Sequence, residues 1–140
     1  MADDPRSVPL QLYERLSNGD LSVIDELAAD DVIEHDEFPG LEQNKDGVKQ
    51  FFTMLREAFP DLRMTPHETI AEGDMVSVRY TATGTHRGEF MGVPATGNSV
   101  EMEGIDLFRI RDGQVAEHWG VSDVMSLMQQ IGAIPDEAPA

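Results

Sequence analysis

The stretch Arg109-Ile110-Arg111-Asp112-Gly113-Gln114-Val115-Ala116-Glu117-His118-Trp119-Gly120-Val121-Ser122-Asp123 decides the fold. Asp112-Gly113 suits a type I′ turn, whose two central residues both need positive φ. Upstream, Val100 to Ile110 reads as a long strand, and Val115 to Val121 returns as its partner. Asp123 then stands where a helix begins, because Leu127, Met128 and Ile131 fall on one side of a helical run from Val124. An acid at such a junction is either an N-cap or a buried acid/base group at the end of a pocket. With Asp112 and Gly113 as the turn, Phe108 pairs with Glu117, Asp106 with Trp119, and Met102 approaches Asp123. One face then holds Asp106, Phe108, Trp119 and Asp123, and the other Leu107, Arg109 and His118. A single bulge would swap part of this set, so the face of His118 stays open.

Outward from the hairpin, the pattern is helices first and strands after. Val8, Leu12 and Leu16 recur at helical spacing before Asn18-Gly19, and Asp20 can cap a short helix holding Val23, Ile24 and Leu27. Val32 to His35 reads as a short extended piece, and Pro39-Gly40 as the turn of the loop that follows. Val48, Phe51, Phe52, Leu55, Ala58 and Phe59 mark the strongest helix, with Asn44 or Asp46 as cap and Pro60 as stop. From Leu62 the period changes to two. One strand bends near Pro66, Glu72-Gly73-Asp74 turns, and Val76, Val78, Tyr80 and Ala82 alternate in the next. The glycine-rich residues 84–97 are a wide loop or a bulged excursion. This order predicts an α+β domain spanning residues 1–140, with 135–140 as a loose tail. Helices on one face of a curved sheet leave a cavity, and such cavities hold small molecules.

Composition narrows the chemistry. The chain has no cysteine, so disulfides, thiolate metal sites and cysteine nucleophiles are excluded. Its formal charge of −17 comes from 27 acidic residues against 10 basic ones. Such a surface repels phosphate backbones and anionic lipid, so no nucleic-acid or membrane partner is expected. The opening Met1-Ala2-Asp3-Asp4-Pro5 lacks the pattern of a secretory signal, and cytoplasm is the expected location. Four histidines occur without a His-x-His or His-x-x-x-His pair, so no metal is expected.

Several side chains are candidates for the cavity. Asp123 beside Trp119, Phe108 and Met102 would be poorly solvated and its pKa raised, which suits an acid/base group. Asp106 is unusual in a strand and needs a partner; it is a satisfied structural acid or a second pocket acid. His118 is a packed residue or a proton carrier. His35-Asp36 can close one end of the cavity. Tyr13 is a pocket hydroxyl or an ordinary amphipathic position, and Phe51 and Phe52 supply an apolar wall.

Taken in order, several segments resemble the SnoaL-like polyketide (ester) cyclase family of the nuclear-transport-factor-2-like, cystatin-like α+β superfamily. They are Val32-Ile33-Glu34-His35-Asp36, Ala58-Phe59-Pro60-Asp61-Leu62, Ala71-Glu72-Gly73-Asp74 and the run Gly84 to Gly92. Pro94 to Gly97, Arg109 to Gly113, Glu117-His118-Trp119, Asp123 and Gln130-Ile131-Gly132 complete the set. The resemblance implies a cone-shaped domain whose curved antiparallel or mixed sheet encloses a pocket, and a homodimer or homotetramer. It implies ring closure by intramolecular aldol condensation, of lyase or isomerase type, on a small hydrophobic carbonyl or ester substrate, with no cofactor.

In that reading Asp123 is the acid/base, helped by His118, and His35, Asp106, Trp119, Phe108, Tyr13, Phe51 and Met102 contact substrate. Two departures stand out. Well-studied members place an amide where this chain has His35-Asp36, and a glutamine and a histidine where it reads Ile105-Asp106-Leu107-Phe108-Arg109. Two alternatives remain open: a non-catalytic binding or oligomerisation module, and an epoxide-hydrolase-like enzyme. The latter needs an aspartate–arginine–aspartate set, but Asp106 and Arg109 fall on opposite strand faces.

Overall fold

The computed structural model describes residues 4–135. Apart from Pro135, the expected tail lies outside them. Helices α1 (Ser7–Ser17) and α2 (Ser22–Leu27) lead directly into β1 (Ala28–Glu34), and α3 (Lys45–Ala58) follows a loop. Strands β2 (Arg63–Glu72), β3 (Met75–Thr85), β4 (Ser99–Arg111) and β5 (Gln114–Ser122) then run into α4 (Val124–Gln130). Asn44 caps α3 by accepting the Gly47 N–H at 3.0 Å. The helix ends at Ala58, just before Phe59-Pro60, because proline supplies no N–H to continue it. Among the described residues no helix is long and apolar enough to cross a membrane.

The five strands form one curved sheet in the order β1-β5-β4-β3-β2. Hairpins make β2 to β5 antiparallel, while β1 adds parallel to β5, with Glu34 opposite His118. The helices cover one face. Val23, Ile24, Val76, Val78 and Ile131 are buried between the layers. The glycine-rich segment leaves the sheet after β3 and folds back over the end of α3. The N–H groups of Arg87 and Gly88 donate to the Ala58 carbonyl, and Phe90 packs edge-on to Phe59.

The β4–β5 register corrects the expected one. Asp112 and Gly113 do form the turn, both with positive φ. Beyond it Ile110 pairs with Val115 but Arg109 pairs with Glu117, so Ala116 is an extra residue. This bulge moves every later pair by one. Phe108 faces His118, Leu107 faces Trp119, and Asp106 faces Gly120. His118 therefore shares the helix-covered face with Asp106 and Phe108, and Trp119 goes to the other.

Candidate active site

Between the sheet and the helices lies a cavity of about 620 Å³, lined mostly by apolar side chains that include Phe51, Phe52, Met102 and Phe108. Its polar end is built where β1 finishes beside the middle of β5, at Glu34 and His118. The His35 N–H donates to the His118 carbonyl at 2.9 Å, which ties the two strands together there. Glu34, Asp36, Asp106, His118 and Tyr13 all line this end.

These groups form one chain of hydrogen bonds. The Tyr13 hydroxyl donates to Asp106 Oδ2 at 2.5 Å. Asp106 Oδ1 meets His118 Nε2 at 2.8 Å, and His118 Nδ1 meets Glu34 Oε2 at 2.6 Å. Burial alone would lower the pKa of His118, but the bonds to Asp106 and Glu34 outweigh it and raise the value to about 10. The ring is thus an imidazolium at neutral pH, held on both nitrogens. Asp106 is only 7% exposed, and Tyr13 and His118 satisfy its two oxygens. Burial and the neighbouring Asp106 raise the Tyr13 hydroxyl well above the usual phenol range, so it stays a donor.

Asp36 completes the polar end from the loop after β1. Its Oδ1 accepts the Gly120 N–H at 2.9 Å, and no hydrogen bond reaches Oδ2 among the described residues. Desolvation raises its pKa above the usual aspartate value, and the charges of Glu34 and Asp106 add to the rise. The Gly120 N–H and His118 oppose it. Asp36 is exposed as a whole residue, so solvent reaches it from the mouth while its carboxylate lines the cavity. Tyr80 and Ser122 also line this end, and burial raises the Tyr80 hydroxyl too. Each of Glu34, Asp36 and His118 could offer one metal-ligand atom within 4.8 Å of the others. Both His118 nitrogens are already committed to carboxylates, however, so a cation would have to displace Glu34 or Asp106.

Three expected site residues lie elsewhere. The Asp123 carboxylate accepts the Ser126 N–H at 3.0 Å as the cap of α4, and the residue is exposed and outside the cavity lining. Trp119 is turned outward by the bulge and stacks on His35, with ring centroids 4.5 Å apart and planes 3° off parallel. His35 meets Glu117 Oε2 at 2.9 Å, and Glu117 in turn accepts from Arg109 at 3.0 Å. Trp119 and His35 thus belong to an ion-paired cluster on the outer face of the sheet. Glu34, Gly120 and Asp36 were not among the expected site residues, although His35-Asp36 was placed at one end of the cavity. Glu34 had a faint signal, an acid directly after the apolar pair Val32-Ile33.

A family model for SnoaL-like polyketide cyclase matches residues 7–131, and the chain belongs to that family. The chain is 34% identical over 81 residues to aklanonic acid methyl ester cyclase DnrD of Streptomyces peucetius, covering 57% of this chain and 56% of that protein. With DauD of Streptomyces sp. strain C5 it is 35% identical over 60 residues, covering 43% of this chain and 37% of that one. The chain thus spans about half or less of the length of these curated relatives. Among solved structures it resembles IdmH of Streptomyces antibioticus, assigned as a candidate polyketide cyclase. That match has 35% identity and a TM-score of 0.82, covering 93% of this chain and 99% of that one. It also resembles AclR of Streptomyces galilaeus, assigned as a candidate hydroxylase, with 31% identity and a TM-score of 0.84 over 96% of this chain and 84% of that one.

Proposed function

We propose that the chain closes a ring by acid/base catalysis on a small, neutral, hydrophobic carbonyl or ester substrate, with Asp36 as the proton carrier. One observation supports this above the others. A carboxylate with a raised pKa and one free oxygen lines an apolar cavity, backed by the Tyr13–Asp106–His118–Glu34 chain. A substrate whose acidic C–H lies between two carbonyl groups gives its proton to Asp36 Oδ2. The electron pair is delocalised onto the flanking carbonyl oxygens, and the carbon attacks another carbonyl carbon of the same molecule, forming the new C–C bond as that C=O π bond breaks to leave an alkoxide. Asp36 then returns the proton to the resulting alkoxide. The phenyl rings of Phe51, Phe52 and Phe108 exclude water and hold the folded-back conformer. An epoxide-hydrolase reading would need an arginine between two aspartates, and among the described residues no arginine lines the cavity.

Aklanonic acid methyl ester, the substrate named for two relatives, is the first compound to try. Aldol closure changes no mass, so the product is followed chromatographically. Asp36→Asn is expected to lower kcat by about 100-fold or more. The wild-type kcat/KM should rise with pH through a single carboxylate pKa above the ordinary aspartate value, because the ionised form is the base. Undiminished turnover in Asp36→Asn, with loss in Asp123→Asn, would return the role to Asp123. Tight binding of the ester without any conversion would mark a binding module.

A further inference from the structure

We infer that Gly120 is a positioning residue, whose missing side chain leaves the slot in which the Asp36 carboxylate is held against Asp106 and His118. This rests on the reading of Asp36 as the proton carrier. A Cβ built on Gly120 would lie 2.6 Å from Asp36 Oδ2, 2.8 Å from Asp106 Oδ1 and 3.2 Å from His118 Cε1. Real Cβ atoms essentially never come within 3.0 Å of such neighbours, so any side chain must push one of these groups away. Asp106 and His118 cannot yield easily. Asp106 faces Gly120 directly across the sheet and is fixed by two hydrogen bonds, and the His118 ring is fixed at both nitrogens. Asp36 sits on a loop and makes the shortest of the three contacts, so it is the group that moves most, while the contact to Asp106 Oδ1 needs a shift of a few tenths of an ångström.

Backbone conformation does not explain the glycine. Gly120 is not among the residues with positive φ, and a glycine inside a strand weakens it. Glycine in a strand often marks a close approach of other groups, and here the approach is by a carboxylate. The Gly120 N–H also donates to Asp36 Oδ1 at 2.9 Å. One residue thus provides both the space for the acid and the donor that aims it. The groups facing that acid are Glu34 from β1, His118 from β5, Asp106 from β4 and Tyr80 from β3.

The test compares wild type with Gly120→Ala. Carbon-13 NMR titration of the Asp36 carboxyl needs no substrate. The Asp36 midpoint is expected to fall towards the ordinary aspartate range in Gly120→Ala, as the carboxylate is driven into solvent. With aklanonic acid methyl ester, kcat should fall at least 10-fold while KM changes less than threefold. An unchanged Asp36 titration overturns the inference and leaves Asp36 free to be the base. A shifted titration with unchanged kcat overturns the acid/base role of Asp36 and, with it, any positioning role for Gly120. Should Gly120→Ala fail to fold, Gly120→Ala/Asp36→Ala decides the matter. Removing the Asp36 side chain relieves the shortest contact, at 2.6 Å, and leaves the 2.8 Å contact to Asp106 Oδ1 to be taken up by a small shift, so the double variant is expected to fold with a urea midpoint somewhat below that of Asp36→Ala. Failure of the double variant to fold would place the clash on Asp106 or His118 and overturn the inference.

Discussion

His118 shows how one residue can hold a site together. Its imidazolium lies between Glu34 and Asp106, and neither nitrogen is free to exchange a proton with a substrate. This argues for a fixed cation that organises acids, with the mobile proton on Asp36. The same arrangement makes stability depend on pH. The folded pKa of about 10 exceeds the unfolded value near 6.5, so the stabilisation is complete below about pH 6.5. It is lost as the pH rises towards 10. Chemical unfolding of the wild type should therefore show falling stability across that window, and His118→Leu should show a much flatter profile. At pH 6 the variant should be about 3–5 kcal/mol less stable, because the buried Asp106 and half-buried Glu34 carboxylates then face each other without a cation. Equal slopes in the two proteins would mean that His118 is neutral in the fold. The sequence marked Asp106 as unusual for a strand and His118 as a packed residue or proton carrier, but not the two as partners. Their meeting depends on Ala116, and nothing in Val115-Ala116-Glu117 marks a bulge.

Elements with local signals were legible, and those made by distant pairing were not. The period of apolar residues and the Asn44 and Pro60 boundaries gave α3, and Asp112-Gly113 gave the β4–β5 turn. The parallel addition of β1 to β5 had no local signal, and it is what brings Glu34 to His118 and Asp36 to Gly120. The placing of Asp36 also depends on α3. Gly47 lets the Glu42 carbonyl approach the first turn of α3 where no side chain would fit, and Phe38 of the loop after β1 packs edge-on to Phe51 of the helix. Asp123 shows the limit of a local signal, since a junction acid can be a cap or an acid/base group and only its surroundings separate the two. In the structure it serves α4, whose first turn has an exposed N–H that its carboxylate accepts. Asp123→Ala should lower stability by about 1 kcal/mol, the usual cost of losing such a cap, and leave kcat within twofold of wild type. Urea denaturation and the ester assay read the two effects separately. A 100-fold loss of kcat in a variant of near-normal stability would show that the capping role is not the whole account.

At the scale of the whole molecule, charge and cavity chemistry agree. The formal charge is −17, and among the described residues the cavity is lined by Glu34, Asp36, Glu37, Glu42 and Asp106 with no lysine or arginine. The His118 cation in that lining is already matched by two carboxylates. A substrate bearing a free carboxylate would enter a net negative site and be repelled by it, whereas its methyl ester carries no net charge for the lining carboxylates to repel. A like charge about 8 Å away costs about 2 kcal/mol at an effective dielectric of 20. The free acid of a given substrate should therefore bind about 10- to 30-fold more weakly than the methyl ester. Salt separates this effect from the loss of methyl contacts. Raising the ionic strength from 0.02 to 0.5 M, both trial conditions spanning Debye lengths from roughly 20 Å to roughly 4 Å, should narrow the gap by strengthening binding of the acid. Binding of the ester should barely change, since it carries no charge to screen. Isothermal titration of both compounds at the two ionic strengths provides the measurement. A gap that does not respond to salt would assign the preference to shape, and equal affinities would remove electrostatic selection from the account of this cavity.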